Sequence, residues 1–109
     1  MKVSIPKLRL PSLSNGRKWW VIMKAKREAK TATFVALHGH DLPPLPVVVT
    51  ITRIGPRRLD NDNLESACKY VRDEIARAYG VDDGSPLYNW QCEQRIGDYA
   101  VEVEITSKE

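Results

Sequence analysis

The chain is poor in the residues that build membrane spans, disulfide frameworks and metal clusters. Its 109 residues include only two cysteines, two histidines and one phenylalanine. No apolar run approaches the roughly 20 residues that cross a membrane, and residues 1–11 lack the long apolar stretch of a secretory signal. We therefore expect a cytoplasmic protein with no membrane partner. Cys68 and Cys92 could form one disulfide, but reduced core thiols are the expectation in that compartment.

Acidic residues are nearly missing from the first third of the chain. Residues 1–30 carry nine Lys or Arg and one acid, Glu28, whereas residues 31–109 carry eight basic and thirteen acidic side chains. The formal net charge of +3 therefore combines a basic first third with an acidic remainder. A basic patch of this kind attracts a polyanion such as nucleic acid, and a solvated helix face is the alternative interpretation.

The sequence contains no internal repeat, linker or low-complexity segment. Hydrophobic residues make up 42% and charged residues 28% of the chain, which is typical of a globular domain. We expect residues 1–109 to form a single domain. Because a chain of this length has a modest core, dimerisation is a natural way to bury more surface.

Apolar periodicity predicts two helices. Spacings of three and four predict a helix over residues 63–79, which Gly80 ends. A helix is also predicted from Lys18 to about Leu37. Its broad apolar face would comprise Trp19, Ile22, Met23, Ala29, Ala32 and Val35.

Four strands complete the expected fold. Residues 3–10 predict an edge strand interrupted by Pro6, and the β-branched run at 47–54 predicts a second strand. Alternation over residues 88–105 predicts a hairpin with its turn near Gly97. The order β-α-β-α-β-β indicates an α+β fold, a mixed sheet with both helices packed on one side.

Four carboxylates flank the second helix. Asp60 and Asp62 precede it, and side chains two apart in an extended segment point the same way. Asp82 and Asp83 follow it, and a helix about 25 Å long keeps its ends apart unless the segment after it folds back or runs as a strand beside the sheet. Three converging carboxylates would suit Mg²⁺, which takes oxygen ligands and a phosphate substrate.

Helix capping and turns are the alternative explanation for each of these acids. Asp62 is a good N-cap with Glu65 three residues on, Asp60 suits an Asx turn, and Asp82 and Asp83 suit a reverse turn before Gly84. The two explanations are compatible, because one carboxylate can cap the helix while both bind an ion.

These motifs resemble the RusA-like Holliday-junction resolvases of bacteriophages and prophages. The resemblance is carried by DNDNL at 60–64, a helix that contains a lysine, and GVDDGSP at 80–86. PSLSN at 11–15 matches the family's early turn approximately, with one residue more than the usual pattern. The strand at 47–54 and the paired strands at the end of the chain occur in the expected order.

The resemblance implies an enzyme, a Mg²⁺-dependent endodeoxyribonuclease that acts in the cytoplasm of a bacterial or phage-infected cell. It would be a homodimer that resolves four-way junctions by paired nicks. Asp60, Asp62 and Asp83 would be the catalytic carboxylates that hold the metal ion. The family's catalytic lysine is replaced by Ser66, so Lys69, one helical turn later, is the candidate. A surface ion pair between Glu65 and Lys69 is the alternative for that lysine.

Basic and aromatic side chains supply the candidate DNA contacts. Aromatic residues at the start of an amphipathic helix are usually core residues, so we expect Trp19 and Trp20 in the core, with base stacking or wedging of a junction as the alternative. The candidate phosphate ligands, for which a solvated surface is the alternative, are Arg17, Lys18, Lys24, Arg27, Lys30, Arg57 and Arg58. Two other functions stay open, a non-catalytic branched-DNA-binding module and a less selective flap or fork nuclease.

Overall fold

The computed structural model describes residues 1–12 and 17–108, over which the chain forms two helices and four strands. They occur in the predicted order, and the predicted α+β fold is confirmed. Residues 13–16 of the early turn lie outside the described residues. The elements are β1 Lys2–Pro6, α1 Trp19–Leu37, β2 Val47–Gly55, α2 Asn61–Tyr79, β3 Tyr88–Ile96 and β4 Ala100–Ser107.

The strands form a mixed sheet in the order β1-β4-β2-β3. β2 runs parallel to β3 on one side and antiparallel to β4 on the other. Every second residue of the inner strands faces the two helices, as the period of two predicts. The fully buried positions are Val47, Val49 and Ile51 of β2 and Val101, Val103 and Ile105 of β4.

β3 and β4 do not form the predicted hairpin, because β2 lies between them. Residues 97–99 connect the two strands across the end of β2. The Gly97 N–H donates to the Gly55 carbonyl at 3.0 Å, and a Cβ on Gly97 would lie 3.0 Å from the Ile54 side chain. A glycine therefore permits this close crossing. Alternation identified both strands and their buried face, but it carries no information about which strand is the neighbour.

The edge strand is shorter than predicted. β1 ends at Pro6, and Lys7 takes a left-handed φ of 66° that turns the chain. Leu8 and Leu10 are buried outside the strand. β1 nevertheless lies at the edge of the sheet, where its proline removes no hydrogen bond that a second neighbour would need.

The buried face of α1 differs from the predicted one. Its buried residues are Ala29, Thr33 and Leu37, spaced by four, and the first two are small. Ala32 packs partly against the core. Apolar residues occur on several sides of α1, so periodicity alone did not select the correct face. The large side chains left exposed are Trp19, Trp20, Met23, Phe34 and Val35.

Candidate nucleic-acid site

The first acidic pair lies at the start of α2, which begins two residues earlier than predicted. Asp60 is the N-cap, and its Oδ1 accepts the Asn63 N–H at 3.0 Å. Asp62 is therefore a first-turn residue, and its predicted capping role is wrong. Asp60, Asn61, Asp62 and Asn63 can all cap a helix, and the structure uses the earliest of them. Both carboxylates are exposed at the positive end of the helix dipole.

Asp83 lies apart from this pair. Leu59, next to Asp60, exchanges two hydrogen bonds with the side chain of Gln94, at 2.8 and 2.7 Å. The Asp83 carbonyl accepts the Trp90 indole N–H at 2.9 Å. Gln94 and Trp90 are four residues apart on β3, or about 13 Å along a strand. These contacts place the Asp83 backbone beside Trp90, whereas the residue before Asp60 contacts Gln94.

Two of the three predicted ligands, Asp60 and Asp62, could bind Mg²⁺ together. Among residues 1–12 and 17–108, no group of three or more His, Cys, Asp or Glu side chains is placed to hold a metal ion. Asp60, Asp62 and Asp83 are accordingly not grouped as three ligands in this structure. Mg²⁺ is, however, commonly held by one or two carboxylates together with substrate phosphates. The exposed oxygens of Asp60 and Asp62 have the chemistry for that arrangement.

An arginine pocket lies directly before the acidic pair. It has a volume of about 540 Å³ and lies where β2 ends. Its four arginines come from three separate segments of the chain, and no acid is among the described residues that line it. The lining residues are Arg9, Pro11, Ser12, Arg17, Arg53, Pro56, Arg57, Leu59 and Tyr99.

Arg53 forms the buried part of this pocket and is 5% exposed. Its Nε donates to the Leu10 carbonyl and its Nη1 to the Arg57 carbonyl, both at 2.8 Å. Burial lowers the pKa of Arg53, although a guanidinium remains protonated in proteins. Gly55 leaves room for the side chain, because a Cβ there would lie 3.1 Å from the guanidinium. The pocket thus contains a fixed positive charge held by neutral carbonyls.

The walls of the pocket add further groups that suit an anion. The Ser12 Oγ is buried and has no hydrogen-bond partner among the described residues. The Arg9 guanidinium lies over the Tyr99 ring, 5.2 Å from its centroid. Arginine is well suited to phosphate, because its planar fork donates two parallel hydrogen bonds. The arrangement can therefore bind a phosphate group.

Lys69 lies further along α2. It is exposed, and its Nζ is 5.8 Å from the centroid of the Tyr70 ring. The alternative ion pair of Lys69 with Glu65 is wrong, because Glu65 pairs instead with Arg72 at 2.7 Å. Seven residues separate Lys69 from Asp62, which is close to two full turns, so both lie on the same side of the helix.

The structure brings together only some of the predicted DNA-binding residues. Arg17 and Arg57 line the arginine pocket, and Arg58 is exposed beside it in sequence. The remaining candidates are spread around α1. Lys18 precedes its first turn, Lys24 pairs with Glu28 at 3.9 Å, Arg27 faces the groove beside β1, and Lys30 lies near Glu74 and Arg77 of α2.

A second pocket, at the other end of α2, is acidic. It has a volume of about 400 Å³, and its lining includes Asp73, Arg77, Asp82 and Asp83. The Asp82 Oδ2 accepts the Gly84 N–H at 3.0 Å, which confirms the predicted turn. This geometry explains Asp82 by local structure and leaves the role of Asp83 as third ligand a prediction.

Sequence reasoning missed Arg9, Arg53 and Asp73. Arg53 had a detectable signal, because it is in phase with Val49 and Ile51 on the buried face of β2. A charged residue at such a position needs partners in the core. Arg9 and Asp73 carry no comparable signal, since their pockets form only when distant segments meet.

Comparison with models of protein families, with curated proteins and with solved structures finds no match to this chain. Within residues 1–12 and 17–108, neither helix has the length and apolar character needed to cross a bilayer. The functional inference therefore rests on the placement of the residues themselves.

Proposed function

We propose that this chain is a Mg²⁺-dependent endodeoxyribonuclease for branched DNA, with its site formed by the arginine pocket, Asp60 and Asp62. The observation that carries the proposal is their adjacency. Arg57 and Leu59 line the pocket, and Asp60, the next residue, caps α2. A phosphate held by the pocket would therefore lie beside the two carboxylates.

The residues divide into binding and catalytic groups. Arg9, Arg17 and Arg57 bind phosphate oxygens, and the buried Arg53 adds a positive charge that needs no reorganisation when DNA arrives. Asp60 and Asp62 would hold Mg²⁺ through their carboxylate oxygens. When bound, the ion supplies Lewis-acid stabilisation of the charge that develops on the phosphate.

Lys69 is proposed as a further cation of the catalytic group. It lies on the Asp62 side of α2, about 10 Å further along the axis at 1.5 Å per residue. A lysine side chain on a helix leans toward the N-terminus, which directs Lys69 toward the acidic pair. Its role would be to position the attacking water or to balance charge on the phosphate.

We propose four-way DNA junctions as the substrate class and their resolution as the reaction. A junction has two-fold symmetry, and this chain carries one D-x-D motif, so paired nicks on opposed strands require a two-fold homodimer. We place this activity in the cytoplasm of a bacterium or a phage-infected cell. Sedimentation without DNA tests the dimer, and a monomer at micromolar concentration would contradict it.

A non-catalytic branched-DNA-binding module is the second candidate. The separation of Asp83 from Asp60 and Asp62 favours it, because the three-carboxylate set of the resemblance is then incomplete. The two candidates make opposite predictions for one assay. A labelled four-way junction and a matching linear duplex are incubated with the protein, with and without Mg²⁺.

The enzyme proposal expects symmetric nicks on the junction only when Mg²⁺ is present, with a clear preference over the duplex. Binding to the junction without any cleavage would favour the module. Labelled flap and fork substrates form a further arm of the assay, and cleavage of these as fast as of the junction would identify a less selective nuclease. Absence of both binding and cleavage would overturn the proposal.

A further inference from the structure

Two tryptophans are exposed side by side at the start of α1. Trp19 is 72% and Trp20 54% exposed. Their ring centroids are 6.1 Å apart and the rings are nearly perpendicular, at 84°. Tryptophan is highly buried on average, so neighbouring indoles with this exposure form a large apolar surface that the fold does not use.

The charges around this pair favour a polyanion as its ligand. The Lys18 Nζ lies 4.9 Å from the centroid of the Trp20 ring. Arg17, two residues before Trp19, lines the arginine pocket, and the first turn of α1 carries no acid. The aromatic surface is therefore continuous in sequence with the candidate phosphate site.

We propose that Trp19, Trp20 and Lys18 form a base-stacking site for unpaired nucleotides of DNA. Aromatic rings beside cations are the groups that bind single strands, because every base has a face to stack and every nucleotide has a phosphate. Paired bases within a duplex have both faces covered by their neighbours, so the site selects unpaired bases. This inference depends on the proposed function in one respect, which is that the chain binds DNA.

The perpendicular rings make the site more specific. Two bases that remain stacked on each other have parallel planes and cannot both lie flat on rings at 84°. Each ring would instead take one base from a strand whose bases are splayed apart. Unpaired, splayed bases are expected where strands separate, as at a branch point, and not within continuous duplex.

Phe34 provides a matched control. It is 56% exposed on the same helix, but fifteen residues from Trp19, or about 22 Å along the axis. Glu74 and Arg77 of α2 lie beside it. A general effect of removing an exposed aromatic from α1 would appear with Phe34→Ala as strongly as with the tryptophan variants.

The test measures binding of labelled oligothymidylate and of a linear duplex, without Mg²⁺ so that no strand is cleaved. Oligothymidylate is expected to quench the tryptophan fluorescence of the wild-type protein, with half-buried Trp90 providing the unchanged part of the signal. The double variant Trp19→Ala/Trp20→Ala should bind oligothymidylate about tenfold more weakly or worse. Phe34→Ala should stay within twofold, and duplex binding should change little in either variant.

Oligothymidylate binding that is unaffected by the double variant would overturn the stacking site. So would a double variant that loses self-association while binding DNA normally, because the tryptophans would then be a dimer interface. Thermal melting of the variants verifies that they are folded. Junction binding and cleavage with unquenched tryptophans would contradict this inference alone, whereas loss of all DNA binding by the wild type would contradict the proposed function as well.

Discussion

The two ends of α2 both carry paired carboxylates, but their surroundings differ. Asp60 and Asp62 lie at the start of the helix, where the arginine pocket adjoins them. Asp82 and Asp83 follow its end in an acidic pocket that contains Asp73. The acids at the start of α2 adjoin the arginine pocket, and no acid is among the described residues that line that pocket. Arginines whose charge is not neutralised by a neighbouring carboxylate are what a phosphate substrate requires.

The helix dipole adds to this difference. Negative charge is favoured at a helix N-terminus and disfavoured near a C-terminus, so Asp60 and Asp62 are stabilised where they stand. At the other end, Gly80 takes a left-handed φ of 72° and closes the helix, and Asp82 accepts the Gly84 N–H. The turn after α2 therefore explains the presence of Asp82. At the start of α2, by contrast, helix capping explains Asp60 but not the arginine pocket beside it.

The largest effect is expected at the start of the helix. Asp60→Asn or Asp62→Asn should lower junction cleavage by at least about 100-fold, because charge stabilisation at the reacting phosphate is lost. Binding should stay intact or tighten, since a negative charge near the phosphates is removed. Quantitative cleavage assays with gel-shift binding measure both effects.

Asp60→Asn also separates catalysis from folding. Asparagine caps helices about as well as aspartate, so the free energy of unfolding should change by less than about 0.5 kcal/mol. Denaturant unfolding provides this control. Wild-type cleavage rates in both variants would show that the acidic pair has no catalytic role.

The arginine pocket should give the next largest effect. Arg9→Gln with Arg57→Gln removes two charge-assisted donors and should weaken junction binding by more than about tenfold. The slope of log affinity against log salt should fall by about two. Arg77→Gln, at the acidic end of α2, is the matched control and should leave the slope nearly unchanged. If Arg77→Gln lowered affinity and salt slope as much as Arg9→Gln with Arg57→Gln, the two ends of α2 would not differ in DNA binding.

Lys69→Ala should lower the cleavage rate by about tenfold or more, as expected for loss of a positioned acid–base or electrostatic group. Lys26 is the matched control, because its Nζ lies 5.7 Å from the same Tyr70 ring. If Lys69 acted only through its contact with the Tyr70 ring, Lys26→Ala and Lys69→Ala would change the cleavage rate equally. A rate within twofold of wild type for Lys69→Ala would direct the search to another cation.

The smallest effect is expected for Asp83→Asn, within about threefold in cleavage rate. Trp90, which bonds to the Asp83 carbonyl, lies about 13 Å along β3 from Gln94, which bonds to Leu59. Interactions between charges near a protein surface are largely screened beyond about 8–10 Å. Asp82→Asn serves as the control for loss of the turn. A loss as large as that of Asp60→Asn would instead support the third ligand that the family resemblance implies, and the two ends of α2 would then have to meet.

The sequence was most informative where local periodicity decides the structure. Residues 47–54 and 63–79 were recognised nearly in full, because β-branched runs and spacings of three and four report directly on burial. Neighbour relations were not recoverable. The insertion of β2 between β3 and β4 depends on a three-residue crossing beside Gly97, which resembles a hairpin turn in sequence.

The residues of the candidate site likewise fall into those that the sequence identifies and those that only the fold brings together. Asp60, Asp62, Arg17 and Arg57 were recognisable from motif and charge. Arg9 and Ser12 join them only because the segment after β1 comes to lie beside the end of β2, a contact between positions more than forty residues apart. The separation of Asp83 likewise depends on the path of the turn after α2, for which the sequence allowed two courses.

The most direct test of a catalytic site at the start of α2 is cleavage of a cruciform plasmid by the wild type, Asp60→Asn and Asp83→Asn. Paired nicks within one binding event linearise the plasmid, whereas single nicks leave open circles. We predict linear product from the wild type only with Mg²⁺, none from Asp60→Asn, and nearly wild-type yield from Asp83→Asn. Intact plasmid after incubation with folded wild-type protein and Mg²⁺, or equal cleavage by wild type and Asp60→Asn, would contradict a catalytic site at the start of α2.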